Sequence, residues 1–205
     1  MKVPTFVLTI LISEIIGTVL IYLLVTGIRE GLYKIHRSEK PDKSSYMIQT
    51  PNSFEIQGYN QCAGFSSAYL MRHYGRTITG QEAYQKMPKL KNGTVLPRNL
   101  LKFLKSEGLK AGYYRGNTDT IKSIVEKGDP VIVLIRSFKG SKTLHYVNIV
   151  GYDEDNLYLA ETIEDYINAD DPGYNRIVRT EDFIELWNTS MFVIPLHKNT
   201  FFKIV

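Results

Sequence analysis

From Val3 to Ile28 the chain carries no Lys or Arg, and Glu14 is the only formal charge in those 26 residues. As a helix this run would span about 39 Å at 1.5 Å per residue, more than the roughly 30 Å of a bilayer core. The reading is one transmembrane helix, with residues 1–37 as a membrane anchor and juxtamembrane segment. Glu14 opposes insertion by about 2–3 kcal/mol, offset by Ile10, Leu11, Ile12 and the run from Val19 to Val25. A cleavable signal peptide fits less well, because only Lys2 and the amino terminus supply a basic start and no small-x-small site follows. Arg29, Lys34, Arg37, Lys40 and Lys43 come after the run and Lys2 before it. The positive-inside bias then favours a cytoplasmic, single-pass arrangement. Residues 38–53, polar and interrupted by Pro41 and Pro51, read as a stalk, and residues 54–205 as one domain with a single core.

Composition narrows what that domain does. Of 25 Lys and Arg, five lie in the first forty residues, against three of the 21 acids, so the remainder is close to neutral at 20 against 18. With no basic run there is no case for a nucleic-acid partner. Fourteen Tyr and nine Phe suit a packed domain. One cysteine excludes an internal disulfide framework and a Cys-rich zinc site, and the reading includes neither metal nor cofactor.

That cysteine, Cys62, stands where a polar, Gly-containing loop (Gln57-Gly-Tyr-Asn-Gln61) breaks into Ala-Gly-Phe-Ser-Ser-Ala-Tyr-Leu-Met. The spacing of Phe65, Ala68, Tyr69 and Arg72 predicts a helix that starts at the thiol and stops at Gly75. A thiol at a helix N-terminus sits among unpaired N–H groups at the positive end of the dipole, a setting that favours the thiolate. Taken alone, a lone Cys is more often a small buried hydrophobe. What shifts the balance lies downstream.

Short helices are expected from Thr79 to Met87, Leu96 to Glu107 and Thr118 to Lys127, with an Asn92-Gly93 turn. Leu109 to Arg115 reads as a short strand, and Val131 to Arg136, almost wholly apolar, as a central one. Leu144 to Tyr152 and Leu157 to Thr162 read as a hairpin about Asp153–Asn156. Arg176 to Arg179 is a strand, Glu181 to Trp187 a helix capped by Thr180, and Met191 to Leu196 a closing strand. Helices first and an antiparallel sheet second is an α+β arrangement.

A thiolate nucleophile needs a base, and the base needs a group that fixes its tautomer. Four histidines are available. His36 lies in the juxtamembrane segment, and His73 is eleven residues along the Cys62 helix, roughly 16 Å away. His197 follows the last expected strand in surroundings that suggest no role. His145 opens a strand beside the Gly140–Thr143 loop, where an imidazole can be both held and reached. A hairpin centred on Asp153 sets Glu161 opposite His145, to within a residue or two, in carboxylate–imidazole reach.

These stretches, Gln57-x4-Cys62-Ala-Gly-Phe65, His145-Tyr-Val-x-Ile-Val-Gly-Tyr152 and Leu157-Tyr-Leu-Ala-Glu161, resemble the papain-like cysteine peptidases. The closest branch is the bacteriocin-processing, double-glycine leader peptidase-like domains, whose Cys helix also ends in a pair like Tyr74-Gly75. The resemblance implies a papain-like fold, with the Cys helix in an N-terminal helical part and the His on the sheet. It implies Cys62 as nucleophile, His145 as general base, Gln57 as oxyanion donor and Glu161 as orienter. The chain departs from the pattern in three places. Gln57 stands one residue nearer the Cys than usual, Gln61 replaces a common Asp, and Glu161-Thr162 stands where Asp or Asn, often followed by Pro, is usual.

The function expected is hydrolysis of peptide bonds by a membrane-anchored thiol peptidase acting on a peptide or protein substrate. Two alternatives differ from it: a pseudo-peptidase that binds a leader or partner peptide without cutting it, and an NlpC-type cell-wall amidase or transglutaminase-like enzyme. Tyr113, Tyr114 and the acidic loop from Glu161 to Asp171 are candidates to line the cleft.

Overall fold

A computed structural model describes residues 5–30, 32–190 and 197–205. The apolar N-terminal run forms helix α1 (Thr5–Glu30). Its stretch Phe6–Gly27 is long and apolar enough to cross a membrane. Phe6, Ile15, Leu20, Ile21 and Leu24 are all exposed along it.

Five further α-helices, one 3-10 turn (Glu164–Tyr166) and eight strands follow among the described residues. The helices are α2 (Cys62–His73), α3 (Gly80–Lys86), α4 (Pro97–Ser106), α5 (Thr118–Val125) and α6 (Thr180–Trp187). The strands are β1 (Lys34–Ile35), β2 (Tyr46–Met47), β3 (Ala111–Arg115), β4 (Val131–Arg136), β5 (Leu144–Tyr152), β6 (Asn156–Ala160), β7 (Arg176–Arg179) and β8 (Thr200–Ile204). They form one sheet in the order β1-β3-β8-β4-β5-β6-β7, with β2 also on β5. The β1–β3 pair is parallel and the other pairs are antiparallel.

The pleat divides the core. Val131, Val133 and Ile135 of β4 face one apolar cluster with Ile121, Phe183 and Trp187, while Ile132 and Leu134 face another with Leu70, Phe103 and Leu104. Phe201 and Phe202 on β8 split the same way. A strand covered on both faces has no polar side to show, which is why β4 reads as an unbroken apolar run.

Helix α2 is buried from Ala63 to Met71. Its small residues let neighbours approach: a Cβ on Gly64 would stand 2.4–2.7 Å from the Cβ, Cα and N of Tyr84 on α3. The helix ends as the sequence predicts. Gly75 takes φ +77°, its N–H bonds Arg72 O (2.9 Å), and Arg76 N–H reaches Met71 O (3.0 Å), a Schellman stop. Thr79 and Glu82 close a reciprocal capping box on α3. At α6 the expected cap is not made: Thr180 is the first helical residue, and its buried hydroxyl has no hydrogen-bond partner.

The end of the juxtamembrane segment, at His36, and the start of the segment expected to be a stalk are laid along the domain. His36 N–H bonds Arg115 O (2.9 Å), and the Asp42 and Lys43 N–H groups both donate to Glu126 Oε2 (2.9 and 3.2 Å). Tyr152 Oη donates to the same carboxylate oxygen (3.1 Å). A polar chain with this many partners on one surface has no reason to stand free. The expected strand Met191–Leu196 lies outside the described residues. β1, β2 and β8 are additions to the expected set.

Candidate active site

Cys62 is the first residue of α2 and half-buried. No side chain caps that helix. Gln61 turns back instead, its Oε1 accepting the Gly58 N–H (3.0 Å). Asn60 takes a left-handed φ of 59°, which Asn tolerates better than most residues, and its Nδ2 donates to Asn92 O (3.0 Å).

His145 is the second residue of β5, and two buried bonds fix α2 against that strand. Ser66 Oγ donates to Tyr146 O (2.8 Å), and Asn148 Nδ2 donates to Ser66 O (3.0 Å). The helix bearing the thiol and the strand bearing the imidazole are thus joined one residue past His145 and four past Cys62.

Glu161 meets His145, though not across the pair the sequence suggests. The ladder joins Asn148 to Ala160 and Ile149 to Leu159, then shifts at a bulge before Gly151–Tyr158. Continued by one residue, that register sets Glu161 across from Val147, diagonal to His145 on the same face. The longer side chain of Glu closes the gap: Oε1 lies 2.6 Å from His145 Nε2, with both side chains buried. Glu161 Oε1 also accepts the N–H groups of Thr162 (2.7 Å) and Ile163 (2.9 Å). Oε2 takes Arg176 Nη1 (2.6 Å), and the Arg176 guanidinium lies over the Tyr166 ring. Asn175 brackets the Glu161 backbone, its Oδ1 accepting Glu161 N–H (2.6 Å) and its Nδ2 donating to Glu161 O (3.0 Å).

These contacts decide protonation. Burial alone would raise the Glu161 carboxyl, but His145, Arg176 and the Ile163 N–H outweigh it and hold it down to about 2. Burial likewise works to lower His145, and the Glu161 charge, with hydrogen bonds and charge from Glu161 and Cys62, pushes it up to about 9. An ionised carboxylate only accepts, so His145 Nε2 carries a proton. Nδ1, buried, is left for the thiol side.

Gln57, Cys62 and His145 line one cleft of about 440 Å³, completed by Gly58, Tyr59, Ile163 and Tyr166 among others. Glu161 sits behind it. Thr162 Oγ1 donates to Gln57 Oε1 (2.6 Å), Gln57 N–H donates to Thr162 O (2.8 Å), and Gln57 Nε2 donates to Gly58 O (3.2 Å). Glu164 and Asp165 of the acidic loop also reach the cleft. Tyr113 does not line it: its ring is buried and its hydroxyl pairs with Nδ1 of His197. His197, pushed down to about 4 by burial, borders a second hollow on the other side of Cys62.

A sequence model described as the Peptidase_C39-like family matches residues 42–194. The chain belongs to the Peptidase_C39-like family. As a C39-like peptidase it is a cysteine peptidase, a hydrolase. No curated protein matches the sequence. Among solved structures, the chain is similar to a protein described as a C39-like peptidase from Bacillus anthracis (TM-score 0.57, 16% identity, 78% of this chain and 96% of that one). It is also similar to a double glycine motif protease from an AMS/PCAT transporter, in complex with the leader peptide (0.51, 15%, 80% and 100%). A third is xylellain, a cysteine protease from Xylella fastidiosa (0.51, 14%, 86% and 91%). The α+β, papain-like fold expected from the sequence is the fold of this C39-like chain.

Arg176, Asn175 and Thr162 escape a reading of the sequence. Arg176 registers only as the start of a strand. One signal was available: an Arg at an inward position of a short strand needs a buried anion, and Glu161 is an acid at the end of the neighbouring strand.

Proposed function

We propose that this C39-like chain hydrolyses peptide bonds through an acyl-enzyme thioester on Cys62, with α1 anchoring it in a membrane and the domain on the cytoplasmic side. The observation that carries the chemistry is the 2.6 Å contact from Glu161 to His145 Nε2, which leaves Nδ1 for the thiol in a cleft shared with Cys62. His145, held up to about 9, keeps the thiol's proton on Nδ1 as an imidazolium, and the Cys62 thiolate attacks the peptide carbonyl carbon. The oxyanion is held by the Cys62 N–H at the start of α2 and by the second N–H of Gln57 Nε2, the first being given to Gly58 O. The imidazolium then protonates the leaving amine as the C–N bond breaks. Water, deprotonated by the same imidazole, releases the acid and regenerates the thiol. Glu161 keeps the ring oriented and stabilises its charged form. A peptide substrate is supported by the similar double glycine motif protease, which was solved with a leader peptide bound.

The test incubates full-length protein in detergent with a double-glycine leader peptide and reads products by mass spectrometry. Cleavage by wild type, lost in Cys62→Ala and reduced at least 100-fold in His145→Ala, is the expected result. If wild type and Cys62→Ala bind the peptide equally and neither cuts it, the binding-only reading replaces this one.

A further inference from the structure

The proposed chemistry needs the amide of Gln57 to face the cleft with nitrogen, not oxygen, and nothing in the local sequence guarantees that. We propose that Thr162 is the positioning residue for Gln57, so that the dipeptide Glu161-Thr162 holds the base through one side chain and the oxyanion donor through the next. The inference rests on the peptidase reading above.

An amide has an accepting end and a donating end, and the bonds around Gln57 sort them. Gly58 O only accepts, so the group facing it at 3.2 Å is Nε2. Oε1 then faces Thr162, whose hydroxyl donates to it at 2.6 Å. Thr162 is 4% exposed, so this hydrogen bond is shielded from water. The same residue also fixes the Gln57 backbone, its carbonyl accepting Gln57 N–H at 2.8 Å. Thr162 is itself tied to the base's partner, since its N–H donates to Glu161 Oε1 at 2.7 Å. With the hydroxyl removed, only the longer Gly58 contact would orient a half-buried amide at the edge of the cleft. A reversed amide would set a carbonyl oxygen where the oxyanion forms, turning a stabilising contact into a repulsive one.

The experiment compares two reactions of Cys62 in the full-length protein. Acylation by p-nitrophenyl acetate passes through an oxyanion: the thiolate adds to the ester carbonyl, the C–O bond breaks and p-nitrophenolate leaves. Alkylation by iodoacetamide displaces iodide from carbon and builds no oxyanion. Thr162→Val is expected to slow acylation about tenfold or more, short of the hundredfold typical of deleting a donor outright. Alkylation should stay within about twofold, and Thr162→Ser should restore acylation. Gln57→Ala should show the same split, and adding Thr162→Val to it should cost little more. Thr162→Ala serves if the Val variant does not fold, with Trp187 fluorescence as the check. Acylation at the wild-type rate in Thr162→Val, equal slowing of both reactions, or full multiplication of the two variants' effects would overturn the assignment. Failure of the peptidase reading looks different: wild type itself would not be acylated, or Cys62→Ala would release p-nitrophenolate equally fast, and the role of Thr162 would fall with it.

Discussion

The Glu161 carboxylate is shared by two cations, and its behaviour with pH follows from both. His145 is raised from an ordinary 6.5 to about 9, so the stability it contributes is complete below 6.5 and is lost as pH rises through 9. Glu161 is lowered from 4.5 to about 2, so its contribution is complete above 4.5 and is lost as pH falls through 2. Together they stabilise the fold most between pH 4.5 and 6.5. The difference in thermal midpoint between wild type and Glu161→Gln should be greatest in that window and shrink on either side. Glu161→Gln also leaves Arg176 buried without its anion, so urea unfolding near pH 6 should show a loss of about 3 kcal/mol or more. At this scale the sequence disclosed the His145–Glu161 pairing but not its geometry. The turn is centred between Glu154 and Asp155, not on Asp153. The bulge between Ile149 and Gly151 brings the register back by one residue, which keeps Glu161 on the face of His145, and the extra methylene of Glu spans the remaining diagonal. Arg176 and Thr162 were hidden because their partners lie fifteen and 105 residues away, beyond any periodicity.

At the scale of elements, α2 is the piece around which the site is assembled, and its small residues are what permit this. A methyl on Gly64 would meet the Tyr84 backbone, which cannot swing aside as a side-chain tip can. Gly64→Ala should therefore destabilise the protein by about 1–3 kcal/mol and slow Cys62 acylation, readable by urea unfolding and p-nitrophenolate release. Long elements were legible. β4 and β5 begin and end where the composition places them, because their largely apolar runs are bounded by turn residues. β1 and β2, two residues each, carry no period to detect. They exist because a neighbouring strand edge was open to them.

For the whole molecule, the apolar length of α1 and the Lys and Arg that follow it make a prediction about sidedness. In a bacterial host, a fluorescent protein fused after Val205 should fluoresce while an alkaline phosphatase fusion at the same point stays silent. The reverse pattern would put the domain outside and favour a cell-wall substrate.

The way residues 34–47 lie on the sheet matters here. A free stalk of sixteen residues could reach roughly 55 Å from the end of a membrane helix. Lys34, however, is already paired in β1, four residues after the end of α1 at Glu30, a span of at most about 14 Å. With α1 in a bilayer, the cleft is on a short leash. The protein would work as a surface catalyst, meeting substrates that travel along the same membrane far more often than ones free in solution.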